Sequence, residues 1–93
     1  MITSFACRET EKIFEGLRSQ KLPSDIQSRA RRRLIQLDNA QNINDMRIPP
    51  SNHLEKLSGD MAGSWSIRVN QQWRLVFLWE EGNATEVRII DYH

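Results

Sequence analysis

The sequence predicts a small α+β fold, in which a short N-terminal strand and two helices pack on a twisted antiparallel sheet. Three observations carry this. Residues 8–40 show helical spacing of their apolar side chains. Two later runs, "WSIRV" and "WRLVFLW", alternate as strands do. The helical and strand patterns are also segregated along the chain, which favours hairpins over βαβ crossovers. A chain of 93 residues is expected to form one domain, spanning 1–93.

"MITSFAC" begins with apolar and β-branched residues and reads as the first strand. In "RETEKIFEGL", Ile13, Phe14 and Leu17 stand three and four apart on one helical face, and Gly16 keeps that helix short. "KLPSDIQSRARRRLIQLDNA" is the clearest helix. Ser24 followed by Gln27 fits a capping box, and Ile26, Ala30, Leu34 and Leu37 form one apolar stripe. Arg29, Arg32 and Arg33 lie off that stripe. "NIND" offers another helical turn, and Pro49 and Pro50 end it in a loop.

The remainder reads as strands. Trp65, Ile67 and Val69 share one face, against Ser66 and Arg68 on the other. Trp73, Leu75, Phe77 and Trp79 oppose Arg74, Val76 and Leu78, so this strand is apolar on both faces and predicted to be central. A three-residue connection, Asn70 to Gln72, keeps the buried faces in register. It sets Arg68 opposite Arg74 and asks Asn70 or a glutamine for a left-handed conformation. "EEGNA" turns the chain into "TEVRIIDYH". There Val87, Ile89, Asp91 and His93 share one face, and Arg88, Ile90 and Tyr92 the other.

Composition excludes several classes. Hydrophobic residues are 39% and charged residues 27%, as in ordinary globular chains. No apolar run spans a membrane, and "MITSFACRETEK" lacks a signal-peptide layout, so the cytoplasm is expected. The single cysteine, Cys7, forms no internal disulfide and reads as a small buried residue in a reducing compartment. With two histidines and no ligand spacing, no zinc site is expected. The net charge is only +1, yet residues 18–33 carry six cations against Asp25 alone. Such a patch can meet phosphates, or can simply be a solvated face.

The residues able to do chemistry cluster late. Like charges opposite one another on a sheet repel, so Arg68 and Arg74 either hold an anion between them or turn to Glu55, Glu80 or Asp91. His93 is the side chain most easily tuned for proton transfer near neutrality, with Asp91 on its face to orient it and Tyr92 beside it. Trp65, Trp73 and Trp79 fall on apolar faces and read as core.

The stretch "PPSNHLEKLSGDMAGSWSIRVNQQWRLVFLW", with "DYH" at residues 91–93, resembles the HigB-type killer proteins of bacterial type II toxin–antitoxin systems, within the RelE/ParE superfamily. The similarity runs from "MITSF" onward. It is most specific at "LSGD", "SIRVNQQWR" and "DYH". The resemblance implies a RelE-like fold and an endoribonuclease that cuts mRNA on the ribosome by metal-free attack of the 2′-hydroxyl, with no cofactor. It implies a HigA-type helix-turn-helix antitoxin as partner. By position, Arg74 would stabilise phosphate charge. His93 would be general acid or base, Asp91 its orienter, and Tyr92 a stacking or proton-handling group. Arg68 takes a basic position on the neighbouring strand. Arg29, Arg32, Arg33, His53, Lys56 and Asn70 are then expected RNA or ribosome contacts, although Lys56 should point to the other face if its segment is extended. One departure is Ser58, which stands where many members have lysine. Rival readings are a gyrase-poisoning ParE-like toxin, a non-catalytic relative that only binds antitoxin, and a small RNA-binding domain without catalysis.

Overall fold

The computed structural model describes residues 1–92. Helix α1 is Arg8–Phe14 and α2 is Ser24–Asn39; the strands are β1 (Glu55–Lys56), β2 (Ser64–Arg68), β3 (Trp73–Glu80) and β4 (Asn83–Asp91). All four strands form one antiparallel sheet in the order β1-β2-β3-β4. The core lies between the helices and one sheet face. It joins Ile13, Ile26, Ala30, Leu34 and Leu37 to Ile67, Val69, Leu75, Phe77, Ala84, Val87 and Ile89. The three tryptophans pack half-buried against it, as their faces predicted.

Helix α1 starts with Glu9 and Glu11, which suit the positive end of the helix dipole. It stops where Gly16, at φ +86°, lets its own N–H reach Ile13 O at 3.0 Å and Leu17 N–H reach Lys12 O at 2.8 Å. The predicted apolar face therefore ends early. Ile13 is buried and Phe14 packs on Phe5, but Leu17 lies beyond the reversal and is 53% exposed. Cys7, just before α1, is half-buried rather than buried.

The stripe of α2 is buried as expected. Its predicted capping box is absent: Pro23 is the cap residue and Ser24 makes no capping bond. Gln27 instead reaches back to the connector. It accepts from Ser19 N–H at 3.0 Å and donates to Ser19 O at 2.7 Å and Leu22 O at 2.9 Å. Those orphan groups of the connector outcompete the helix's own first turn. The buried Ser19 hydroxyl donates to Glu9 at 2.7 Å and accepts from Lys21 and Leu22 N–H, tying α1 to α2.

After α2, a 3-10 turn at Ile43–Arg47 is closed by a capping box of Asn42 and Asp45, and a second turn occupies Pro50–Asn52. The β2–β3 register is the predicted one, with Ile67 opposite Leu75 and Arg68 opposite Arg74. The predicted left-handed residue is not there; His53, Glu81 and Glu86 are the non-glycine residues with positive φ among those described. Asn70 closes the connection with its side chain, Oδ1 accepting from Gln72 N–H at 2.8 Å and Trp73 N–H at 2.7 Å. Strand β3 lies between two neighbours as predicted, although Leu78 on its outer face is part-exposed. Glu81 and Gly82, both at positive φ, form the tight turn into β4.

The predicted N-terminal strand is reduced to two isolated parallel bridges with β4, Ile2 to Ala84 and Phe5 to Val87. Glu86 has φ +52° and gives its N–H to Ser4 Oγ, which breaks the ladder. The bulge also shifts phase, so Ala84 and Val87 both face the core. Beyond it, buried Thr10 Oγ1 accepts from Ile89 N–H at 2.9 Å, sealing the β4 edge.

Two outcomes are expected from these contacts. Thr10→Val keeps the shape but orphans the Ile89 N–H, and should cost about 1–3 kcal/mol in denaturant unfolding. The Ser19 hydroxyl, then Lys12, hold the Glu9 carboxyl below its ordinary 4.5. A carboxyl lowered on folding stabilises above its ordinary value, and that stabilisation is lost as pH falls through the lowered one. The melting-temperature gap between wild type and Glu9→Gln should therefore be constant near neutrality and close below pH 4.5.

Candidate functional site

Alternation along β3 puts Arg74 on the sheet face away from the helices, yet the side chain is only 5% exposed. A buried guanidinium needs partners. Its Nη2 donates to His53 O at 2.7 Å, and its Nη1 pairs with Glu55 Oε1 at 3.3 Å. Its Cζ lies 5.3 Å from the Tyr92 ring centroid, within cation–π range. His53 presents that carbonyl from a left-handed backbone at φ +47°. The Arg74 Nε is buried without a hydrogen-bond partner among the described residues.

Two hollows are lined by partners of this arginine, which itself lines neither. The first, of about 310 Å³, is lined by Glu55, Lys56, Leu57, Ser58, Asp60, Met61 and Tyr92. Lys56 sends its ammonium over the Trp65 ring at 5.4 Å, so it turns to the other face, as an extended segment requires. Ser58 contributes no charge. Tyr92 and Asp91 are held by the β2–β3 connection: Tyr92 N–H donates to Gln72 O at 2.7 Å, and Gln72 Nε2 donates to Asp91 Oδ2 at 3.0 Å. His93, expected as acid or base, lies outside the described residues.

The second hollow, of about 360 Å³, is lined by Arg29, Arg33, Ser51, His53, Arg68, Val69, Asn70 and Gln71. Arg29 Nη1 donates to Val69 O and Arg33 Nε to Arg68 O, each at 3.3 Å. Helix α2 is thereby latched to the end of β2. No carboxylate lines this hollow, and none pairs with Arg29, Arg33 or Arg68 among the described residues. Burial, and then the like charges of Arg29 and Arg32, push the Arg33 guanidinium below its ordinary value.

The predicted residues thus divide. Arg74, Tyr92 and the His53 backbone meet, and Arg29, Arg33, Arg68, His53 and Asn70 gather around the second hollow. Arg68 and Arg74 are opposite in register but clasp no shared space; Arg74 turns to Glu55 while Arg68 lines the second hollow. Arg32 bonds Ser28 Oγ at 3.3 Å and lines neither hollow. Glu55 was legible only as a counter-ion. The pairing of β1 with β2 sets it beside Arg74 in the Tyr92 hollow, and a two-residue strand leaves no periodic signal. Ser51 and Gln72 carried no signal. The first hollow therefore offers a cation for an anionic substrate, a phenol able to donate a proton, and carboxylates able to accept one. No group of three or more His, Cys, Asp or Glu among the described residues could hold a metal ion.

Comparison with known proteins adds family and fold. Residues 3–93 match the family described as RelE-like toxin of type II toxin-antitoxin system HigB. Toxin HigB-1 of Vibrio cholerae serotype O1 is 42% identical over 85 residues, 90% of each chain. Endoribonuclease HigB of Proteus vulgaris is 32% identical over 93 residues, all of both chains. A toxin-antitoxin heterotetramer of YoeB and YefM from Staphylococcus aureus has a chain that superposes with a TM-score of 0.62 at 22% identity. The match covers 100% of this chain and 95% of that one. YafQ from E. coli superposes with a TM-score of 0.59 at 13% identity, over 98% and 91%. At such low identity these two structures speak for the fold, and the RelE-like α+β expectation is met.

Arg74→Lys keeps the charge but loses the fork that joins the His53 carbonyl to Glu55. It should lower unfolding free energy by about 1.5–3 kcal/mol in denaturant titrations, because a charge-assisted hydrogen bond is lost in a buried setting.

Proposed function

Because the chain belongs to the HigB-like family of RelE-like type II toxins, we propose that it is the toxin of such a pair and acts as an endoribonuclease on mRNA at the ribosome. The observation that carries this reading is Arg74: a buried guanidinium held by Glu55 and Tyr92, which both line a hollow that also contains Asp60. The name of the Proteus vulgaris relative, which matches over its full length, supports the same activity.

In the proposed reaction a base removes the proton of a ribose 2′-hydroxyl, and O2′ attacks the adjacent phosphorus. The P–O5′ bond breaks, and an acid returns a proton to O5′. The products are a 2′,3′-cyclic phosphate and a free 5′-hydroxyl. Negative charge grows on the phosphorane oxygens, and Arg74 is positioned to stabilise it. Glu55 holds that guanidinium beforehand, so the incoming phosphate replaces one anion by another. His93 serves as general acid or base and Asp91 orients it. Tyr92 stacks on an unpaired base or passes a proton. Arg68, Arg29, Arg32 and Arg33, with His53 and Asn70, contact RNA. Lys56, turned to Trp65, contributes at the rim of the first hollow. Such a toxin works in the cytoplasm, and its neutralising partner is a HigA-type helix-turn-helix antitoxin.

Ser58, at the position of a frequent family lysine, favours a second reading: a relative that binds antitoxin without catalysis. Mapping RNA ends in bacteria that express the protein separates the readings. Wild type should cut messages, and His93→Ala should cut them about 10²–10⁴-fold more slowly, the span of general acid–base catalysis. Intact messages with growth arrest and DNA damage would indicate a gyrase poison. Intact messages without arrest would indicate the binder.

A further inference from the structure

The second hollow takes no part in the bond-making and bond-breaking steps just described, and its chemistry points one way. Three guanidinium groups surround it with no carboxylate among its lining residues. Arg29 and Arg33 each use one N–H on a β2-end carbonyl, which fixes the arm and leaves the remaining N–H groups of each fork unspent. Asn70 Oδ1 is already occupied by Gln72 and Trp73, so its amide NH2 is the group left to donate. Ser51 and Gln71 add neutral donors at the rim. Three like charges held together by the fold repel one another and raise the demand for an anion.

The two hollows share no lining residue but are linked through Arg74. Arg74 lines neither, but its guanidinium holds a residue of each, with the His53 carbonyl, from the second hollow, on one Nη and Glu55, from the first, on the other. A strand of RNA that occupies both hollows would pass over the contacts of Arg74.

Resting on the ribonuclease reading, we propose that Arg29, Arg33 and Arg68 form a second phosphate subsite, which binds a backbone phosphate neighbouring the scissile one and sets the register of the strand over Arg74. A phosphodiester fits better than an acidic peptide. Guanidinium forks match phosphate oxygens, and the lining offers polar donors with Val69 as its sole aliphatic side chain, where an amphipathic peptide would need apolar anchors. These three arginines are positioning residues, since none touches the reacting atoms.

The test uses free protein and a short single-stranded RNA made uncleavable by a 2′-O-methyl group at the scissile nucleotide. Binding is read by fluorescence anisotropy across salt concentrations, with neutral methylphosphonate placed at one linkage at a time. Because no cleavage is read, a chain that proves not to be a nuclease still reports on the hollow. One neutral linkage beside the scissile one should weaken wild type about tenfold and flatten its salt slope by about 0.7. Arg29→Gln/Arg33→Gln should show the same weakening on unmodified RNA and no further loss at that linkage. Arg68→Gln, at a side chain that bonds no carbonyl among the described residues, should behave likewise with an unchanged melting temperature. Variants that keep the wild-type salt slope and the same sensitivity to each neutral linkage would overturn the subsite. So would variants that bind RNA normally but lose affinity for the antitoxin, since the occupant would then be an acidic protein segment.

Discussion

A charged side chain inside a sheet must be satisfied by whatever lies within its reach, and Arg74 imposes that requirement on the elements around it. Its fork takes the His53 carbonyl and the Glu55 carboxylate, and its plane takes the Tyr92 ring. Two regions far apart in sequence are thereby drawn to one point: the stretch that runs from the Pro50 turn into the two-residue β1, and the end of β4. The left-handed backbone at His53 is held in a position that has an energetic cost for a residue with a Cβ. That cost is offset by the 2.7 Å hydrogen bond that the carbonyl accepts from the buried guanidinium.

The end of β4 is ordered by a different means. Residues near a chain's limits fray unless hydrogen bonds and packing hold them. Gln72 supplies two of those bonds, one from its backbone carbonyl and one from its side chain, and Asn70 locks the turn that carries Gln72. Tyr92 reaches Arg74 because a three-residue connection elsewhere is rigid. The bulge at Glu86 is part of the same arrangement, since it brings the β4 segment from Val87 onward into phase with β3.

Charge is distributed against the average. A chain of net charge +1 gathers Arg29, Arg33 and Arg68 around one hollow, while carboxylates line the other. The helix periodicity that buries Leu34 and Leu37 also projects Arg29 and Arg33 toward the end of β2. Packing the apolar stripe against the sheet therefore assembles the basic hollow without any further instruction.

Periodicity is local, and what it governs was legible in the residues alone. The α2 stripe, the faces of β2 and β3, the Arg68–Arg74 register and the order of elements all follow from spacing between near neighbours in the chain. The stretches "LSGD", "SIRVNQQWR" and "DYH" were enough to suggest the family. What depended on partners distant in sequence was not legible. The capping box at Ser24 lost to the needs of Ser19 and Leu22, and the N-terminal strand was cut into bridges by the Glu86 bulge. Spacing placed Arg68 and Arg74 across from each other, but only the folded surroundings decided that one would be buried on Glu55 and Tyr92 and the other would face Arg29 and Arg33. Strand pairing sets where a side chain begins. Where a long flexible cation ends is set by desolvation and by the nearest available acceptor, and both are properties of the assembled structure.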